Sequence, residues 1–122
     1  MFEIPKYTAQ NTTRGIPIAA HIRIAGTSAE RRRGLLETES LQPGDGLWIA
    51  PCEAVHTLGM KWSIDVLFLD KQHRVCKVVK ELYPWRVAVC WTADSVLELP
   101  AGVLEPTGTQ VGDILTFDQN QQ

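Results

Sequence analysis

The stretch SIDVLFLD, Ser63 to Asp70, decides the fold class of this chain. Successive side chains of an extended segment point to opposite faces. One face then carries Ile64, Val66 and Phe68. The other face carries Asp65 together with two leucines, so both faces are largely apolar. This pattern is typical of a buried strand and predicts that the carboxylate of Asp65 is at least half buried. A buried charge needs partners that replace water.

The same β-type texture continues on both sides of this stretch. Brief turns separate short runs of β-branched, aliphatic and aromatic residues, namely LWIA, IDVLFLD, VCKVV, RVAVCW, VLELP and ILTF. The turns are too short for crossover helices, so the pattern predicts an antiparallel meander that curls into a small barrel or a sandwich. Upstream, the alternation in IPIAAHIRIA, residues 16–25, predicts a half-buried strand with His21 on its outward side.

One short helix is predicted before this β-rich region. Thr27 precedes Glu30 at the capping-box spacing, and good helix formers follow until the sequence QPGDG forces a turn. The predicted fold is therefore mainly β, at the margin of α+β, with one helix near Ser28 to Leu36. The length of 122 residues predicts a single domain, residues 1–122, and the QNQQ ending predicts a disordered tail at residues 118–122.

Composition restricts the expected partners and compartment. Twelve basic and fourteen acidic side chains give a formal net charge of −2, so no global field attracts nucleic acid or a membrane surface, and neither is expected as a partner. Three cysteines match no disulfide framework and no paired zinc motif, which favours a reducing compartment. Because the sequence contains no signal-peptide pattern and no run of membrane-spanning length, we expect a cytoplasmic location.

The segment PCEAVHTLGM, residues 51–60, contains Cys52, His56 and Met60 at intervals of four residues. Thiolate, imidazole and thioether ligands suit copper. In an extended segment, however, the three side chains share a face and can pack on the core. A nucleophilic Cys52 with His56 as its base requires a tight turn, since a strand would separate them by about 13 Å. Packing is favoured, and we expect no metal and no cofactor. The alternatives are a copper site at these three residues and a thiol-dependent or hydrolase-like enzyme using Cys52, His56 and Asp65.

Glu98 repeats the pattern of Asp65, because it lies between apolar residues in VLELP. Two carboxylates on apolar strands indicate either an acid–base pair or two structural anchors held by arginine and backbone N–H groups. No nucleophile or metal cluster accompanies them, so anchors are favoured, with Arg33 as the natural counter-ion. The four tryptophans add large amphipathic side chains, and an exposed pair near a groove would suit a ligand or a peptide.

Six short motifs carry a family resemblance: RRGLLE, GDGLWI, IDVLFLD, PWR, VLELPAG and VGDIL. In this order and approximate spacing, the sequence resembles the domain-of-unknown-function 192 family of small bacterial and archaeal domains over roughly residues 27–117. The resemblance implies a compact β-rich fold and no settled activity. Where many members of the family have a Trp-Met pair, this sequence has His56 and Thr57. The family positions that the resemblance implies are Arg33, Gly34, Leu35, Gly46, Asp65, Pro84, Glu98, Gly102, Gly112 and Asp113.

Together, these observations predict a non-catalytic binding or interaction module whose partner is a small molecule or a protein. The candidate functional cluster is Arg33, His56, Asp65 and Glu98. Within it, the polar group of Arg33, Asp65 and Glu98 is expected to shape a pocket or to stabilise loops. No catalytic residue is assigned, and the balance of the sequence features is against an enzyme.

Overall fold

The computed structural model of the protein describes residues 6–26 and 41–120. The prediction of a mainly β fold is confirmed. The described residues form nine strands and one turn of 3-10 helix at Glu105–Thr107. The strands are β1 Lys6–Asn11, β2 Ile16–Ala25, β3 Asp45–Ile49, β4 Ala54–His56, β5 Ile64–Leu69, β6 Val75–Leu82, β7 Val87–Val89, β8 Ser95–Pro100 and β9 Leu115–Gln119.

The helix predicted near Ser28 to Leu36, and Arg33 with it, lies outside the described residues. Within residues 6–26 and 41–120, no helix has the length and apolar character needed to cross a membrane.

Seven strands form one sheet in the order β6-β5-β8-β3-β2-β1-β9, and β4 pairs with β7 in a separate two-stranded sheet. The connections are more complex than those of a simple meander, because β8 returns between β5 and β3, and β9 returns beside β1. The β2–β3 pair is parallel. Parallel neighbours require a long connection, and the chain between Ala25 and Asp45 is long enough to supply one.

The large sheet curls until its two end strands meet at one corner. Arg74 and Ile114, which immediately precede β6 and β9, form an isolated antiparallel bridge. Next to this bridge, the Val75 N–H donates to the Asp113 carbonyl at 2.7 Å, and the Gly112 N–H donates to the Val75 carbonyl at 2.8 Å. These bonds make the sheet a half-barrel that is joined at one corner, which we call the closing corner (residues 73–75 and 112–115).

Both faces of the large sheet are covered by hydrophobic clusters. The first cluster packs between the large sheet and the β4–β7 sheet, since it combines Val55 and Ala88 with residues of β3, β5 and β8. The second cluster fills the interior of the curl, since it combines Val75 and Leu115 at the closing corner with residues of the central strands. All six residues of β5 and all six of β8 are buried as a result, which explains their nearly continuous apolar sequence.

Strand β9 reaches into the C-terminal segment of the chain. β9 pairs with β1 as far as Gln119, which lies opposite Tyr7, and the Asn120 N–H donates to the Lys6 carbonyl at 2.8 Å. Residues 118–120 therefore lie at the edge of the sheet. They begin the segment 118–122 for which the sequence predicts disorder, and residues 121–122 lie outside the described residues. The polar composition of this segment suits an exposed edge strand, and composition alone does not distinguish that from disorder.

Candidate functional site

Asp65 lies in β5 and is fully buried. Its side chain points into the curl, where backbone N–H groups surround it. Oδ1 accepts a hydrogen bond from the Glu81 N–H at 2.9 Å, and Oδ2 accepts from the N–H groups of Gly102 at 3.1 Å and Leu104 at 3.0 Å. Three N–H donors stabilise the carboxylate form. Asp65 therefore anchors the backbone: its hydrogen bonds hold the loop after β8 against the end of β6.

Glu98 lies in β8 and is 3% exposed, but it does not share a site with Asp65. In the β5–β8 register, Glu98 is opposite Val66 and Asp65 is opposite Leu99. Directly opposite residues share a face of the sheet, so the two carboxylates lie on opposite faces. The structure thus separates two members of the polar group expected from the sequence, and the third, Arg33, lies outside the described residues.

The environment of Glu98 is apolar. Its strand neighbours in register are Leu47 and Val66, and its Oε1 atom is buried without a hydrogen-bond partner. Burial raises the pKa of the Glu98 carboxyl to about 7. A carboxyl buried in a low-dielectric environment favours its neutral form, so a pKa of about 7 makes Glu98 a group that binds a proton near neutral pH.

The structure does not assemble Cys52, His56 and Met60 into one site. His56 lies on the exposed face of β4, and its Nδ1 atom accepts a hydrogen bond from the Leu58 N–H at 3.3 Å. Met60 is buried in the first hydrophobic cluster, and Cys52 packs against that cluster. The expectation that all three side chains share a face is therefore wrong for His56. A bend at Glu53 separates Cys52 from β4, and the turn at Leu58 and Gly59 separates β4 from Met60, so the segment is not one extended strand.

The residues of the alternative enzyme are also apart. Asp65 faces the interior of the curl, whereas Cys52 packs against the cluster on the other face of the large sheet. In the two described ranges, no group of three or more His, Cys, Asp or Glu side chains is placed to hold a metal ion. The structure therefore does not bring together the side chains that the copper site or the thiol-dependent site would need.

Thr57 is a buried polar residue whose contacts the sequence analysis did not predict. It is fully buried, and it bonds to the segment 83–86 through both its side chain and its backbone. Its Oγ1 donates to the Tyr83 carbonyl at 2.5 Å and accepts from the Arg86 N–H at 2.9 Å. Its backbone N–H donates to the Arg86 carbonyl at 2.8 Å, and its carbonyl accepts from the Trp85 N–H at 3.0 Å. Thr57 therefore fixes the turn that contains Pro84 and Trp85.

This turn presents Trp85 to solvent in an unusual conformation. Trp85 has φ +64° and is 65% exposed. Proline followed by a positive φ is the pattern of a type II turn, in which glycine usually occupies the second position. A bulky residue with positive φ is a conformational outlier that the surrounding structure must hold in place. The contacts of Thr57 supply that support.

A group of exposed apolar side chains surrounds this turn. Seven large hydrophobic residues are exposed in the described part of the chain, and four of them belong to the two segments that Thr57 joins. His56 is opposite Val87 in the β4–β7 pair, so an imidazole lies at the border of this group. We call the group the aromatic patch; its members are Leu58, Tyr83, Trp85 and Val87.

A cleft of about 370 Å³ adjoins the aromatic patch at Tyr83. Asp65 and Gly102 line its floor, and Lys80 and Glu105 line its rim, where they form an ion pair at 2.5 Å. The Lys80 ammonium holds the pKa of the Glu105 carboxyl below its usual value. The cleft is thus polar where the patch is apolar. The sequence offered two signals for this region, the four tryptophans and the family motif PWR, but neither indicated which tryptophan would be exposed.

A second polar cluster lies at the closing corner around Asp113. Its Oδ2 atom accepts hydrogen bonds from Arg14 Nε at 2.6 Å, Asn11 Nδ2 at 2.9 Å and the Gln110 N–H at 3.1 Å. Burial acts to raise the pKa of Asp113, but the bonds from Asn11 and Arg14 outweigh it and lower the pKa. This cluster links β1 to the loop before β9. Asp113 is a position that the family resemblance marked, whereas Arg14 and Asn11 gave no signal in the sequence.

Comparison with known proteins gives a family match over most of the chain and several relatives. The DUF192 family, described as "Uncharacterized ACR", matches residues 9–117. A UPF0127 protein of Thermococcus sibiricus is 30% identical over 118 residues, which cover 92% of this chain and 75% of the relative. A UPF0127 protein of Pyrococcus furiosus is 30% identical over 115 residues, which cover 89% of this chain and 97% of the relative.

Two crystal structures share the fold. A putative transcription regulator from Sinorhizobium meliloti aligns with a TM-score of 0.80 and 18% identity, covering 93% of this chain and 92% of the other. A protein of unknown function from Novosphingobium aromaticivorans aligns with a TM-score of 0.77 and 21% identity, covering 92% and 83%. At these identities the similarity concerns the fold alone. The extent of the family match, together with the relatives at 30% identity, shows that this chain belongs to the DUF192 family, whose members in the two archaea carry the name UPF0127.

Proposed function

We propose that this domain is a non-catalytic interaction module that binds an extended apolar segment of a partner protein on the aromatic patch. The observation that carries the proposal is Trp85, which is 65% exposed and held at a positive φ by the buried Thr57. A positive φ costs a residue other than glycine about 1 to 2 kcal/mol. A strained conformation maintained by several hydrogen bonds is typical of functional positions.

The chemistry of the patch favours a protein partner. Tyrosine and tryptophan supply large contact areas with few rotatable bonds, and they are enriched at the centres of protein interfaces. The four patch residues carry no charge, so a partner loses little hydration energy there. Leucine and valine beside the rings suit aliphatic and aromatic side chains of the bound segment. Arg86 and His56 at the border leave the surroundings polar, as at the rim of an interface.

The adjacent cleft extends this binding surface with polar groups. Tyr83 belongs to both the patch and the cleft, so a segment lying across the patch can place one polar side chain beside Lys80 and Glu105. Asp65 contributes indirectly: its carboxylate accepts the Glu81 N–H, two residues before Tyr83. We therefore assign Asp65 a positioning role, and His56 a place at the border of the patch. Glu98 is buried and adds no exposed group to the surface. Arg33 stays a prediction of the sequence.

The proposal is tested by selecting a displayed library of random peptides on the folded protein. We expect enrichment of sequences with two or more large apolar side chains. A synthetic peptide of the selected class should lose at least about tenfold in affinity for Trp85→Ser and for Tyr83→Ser, as truncation of a central aromatic residue does in known interfaces. Trp91→Ser is the matched control, since Trp91 is 77% exposed but lies beyond the opposite end of β7. That variant should retain affinity.

Two results would contradict the proposal. One is a selection without any enriched sequence class, or with peptides that bind Trp85→Ser as well as the unaltered protein. The other is a homodimer in sedimentation experiments that dissociates in Trp85→Ser. That result would assign the patch to a second copy of this chain instead of a separate partner.

A further inference from the structure

Two of the three cysteines lie next to each other, although they are far apart in the sequence. Cys76 is in β6 of the large sheet, and Cys90 immediately follows β7 of the small sheet. Their Sγ atoms are 3.4 Å apart and share a hydrogen bond, and both thiols are free. A disulfide has an S–S length of about 2.05 Å, so the sulfurs need to approach by only roughly 1.4 Å.

The surroundings distinguish the two sulfurs. Burial raises the pKa of the Cys76 thiol to about 11. Burial also acts to raise the pKa of Cys90, but hydrogen bonds with Thr92 and Cys76 and the charge of Lys77 outweigh it, so the pKa of Cys90 lies below its ordinary value. The ammonium group of Lys77 is fixed nearby, since it donates to the Val89 carbonyl at 2.8 Å. Cys90 is thus the more acidic of the two thiols.

The cysteine pair is partly open to solvent, and a cleft adjoins it on the side of Cys76. Both cysteines are half-buried, and Cys76 lines an open cleft of about 520 Å³ between β6 and the loop at residues 109–111. Lys77 and Lys80 also line this cleft, and the Lys80 ammonium is paired with Glu105. A thiolate beside a cation, with a second thiol in contact and an open approach, is the arrangement found at redox-sensitive cysteines.

We propose that Cys90 and Cys76 form a reversible redox site that a hydroperoxide oxidises to an intramolecular disulfide. In the first step, the Cys90 thiolate attacks one peroxide oxygen. The S–O bond forms, the O–O bond breaks, and the leaving oxygen takes up a proton as water or an alcohol. In the second step, the Cys76 sulfur attacks the sulfenic acid of Cys90, and the S–S bond forms as hydroxide leaves with the Cys76 proton as water. The protein loses two electrons, and the hydroperoxide gains them.

The disulfide would join the edge strand β6 to the end of β7 and therefore connect the two sheets covalently. The closed loop would contain residues 77–89, which include Tyr83, Trp85 and Val87. Oxidation would thus restrict the movement of the segment that carries most of the aromatic patch. The redox site itself does not depend on the function proposed for that patch.

The test uses the reduced full chain treated with hydrogen peroxide. We expect the number of reduced cysteines to fall from three to one, with a disulfide peptide that joins Cys76 to Cys90 in the digested protein. In Cys76→Ser, Cys90 should stop at the sulfenic acid and be trapped by dimedone. Cys52→Ser is the matched control, because Cys52 is half-buried but donates to the Ala54 carbonyl. It should oxidise like the unaltered protein.

The rates provide a second measurement that does not depend on variants. In the unaltered protein, Cys90 should react with peroxide faster than Cys52, because Cys90 contacts a second thiol and lies near the Lys77 ammonium. The proposal is overturned if Cys52 reacts as fast as Cys90, if the disulfide includes Cys52, or if Cys76 and Cys90 remain reduced while the folded protein is oxidised elsewhere.

Discussion

Replacing Asp65 with alanine tests the anchor at the centre of this fold. The substitution removes the acceptor for three N–H groups, those of Glu81, Gly102 and Leu104. Hydrogen bonds to a charged group contribute about 1.5 to 3 kcal/mol each. The bonds to Glu81 and Gly102 are part-buried, so water can replace the carboxylate there, whereas the bond to Leu104 is buried. We therefore expect the free energy of unfolding to fall by about 3 kcal/mol, well below the sum of the three bonds.

Such a loss is large for a domain of this size, because the total free energy of unfolding is commonly about 5 to 15 kcal/mol. Urea denaturation measures it directly. With an m-value of about 1.5 kcal/mol/M, the midpoint should shift down by about 2 M. Asp65→Asn should lose less, since the amide oxygen keeps either the bond to Glu81 or the two bonds on the other side.

Asp70 provides the matched control for burial. Its Oδ1 atom accepts hydrogen bonds from the N–H groups of Gln72 and Arg74, both at 2.9 Å, in an exposed turn. Water replaces these bonds easily, so Asp70→Ala should cost less than about 1 kcal/mol. Equal losses in Asp65→Ala and Asp70→Ala, or a loss within about 0.5 kcal/mol of zero for Asp65→Ala, would refute the reasoning. The Leu104 amide should also exchange its hydrogen faster in Asp65→Ala.

Three further predictions concern pH and packing. The pKa of Glu98 in the folded protein, about 7, lies above its ordinary value of 4.5, so its contribution to stability is complete below pH 4.5 and is lost as the pH rises through 7. Urea denaturation should show this loss, on the order of 3 kcal/mol, and Glu98→Gln should remove it; a flat wild-type profile would contradict the prediction. Asp113 has the opposite effect on the pH dependence of stability: because its pKa is lowered, its stabilising contribution is lost as the pH falls. Arg14→Ala should weaken this loss of stability in acid. Gly46→Ala should cost about 1 to 3 kcal/mol, because a Cβ would lie 3.2 Å from a Leu99 methyl group; an unchanged unfolding midpoint would show that this part of the core adjusts freely.

The strands could be predicted from the sequence, and their connections could not. The segments around Asp65 and Glu98 are apolar on both faces, and strands buried on both faces carry that pattern wherever they lie in a sheet. The pattern contains no information on which strand is the neighbour. The return of β8 between β5 and β3 follows from the packing of two clusters on opposite faces, which is a property of the whole chain. Burial was therefore predictable, while the grouping of the two carboxylates was not.

The candidate site differs from its prediction for a related reason. Strand parity assigns each side chain to a face only while the segment stays extended, and the turn after His56 ends that regularity. The exposure of Trp85 depends on four hydrogen bonds that join its turn to Thr57, about thirty residues earlier. Neither residue indicates this contact by its own type, since threonine is ordinary in strands and tryptophan is usually buried. The informative residue is instead the one whose conformation opposes its intrinsic preference. This tryptophan has a positive φ, and a fully buried threonine holds it in solvent. The fold therefore supports an exposed ring that its own stability does not require.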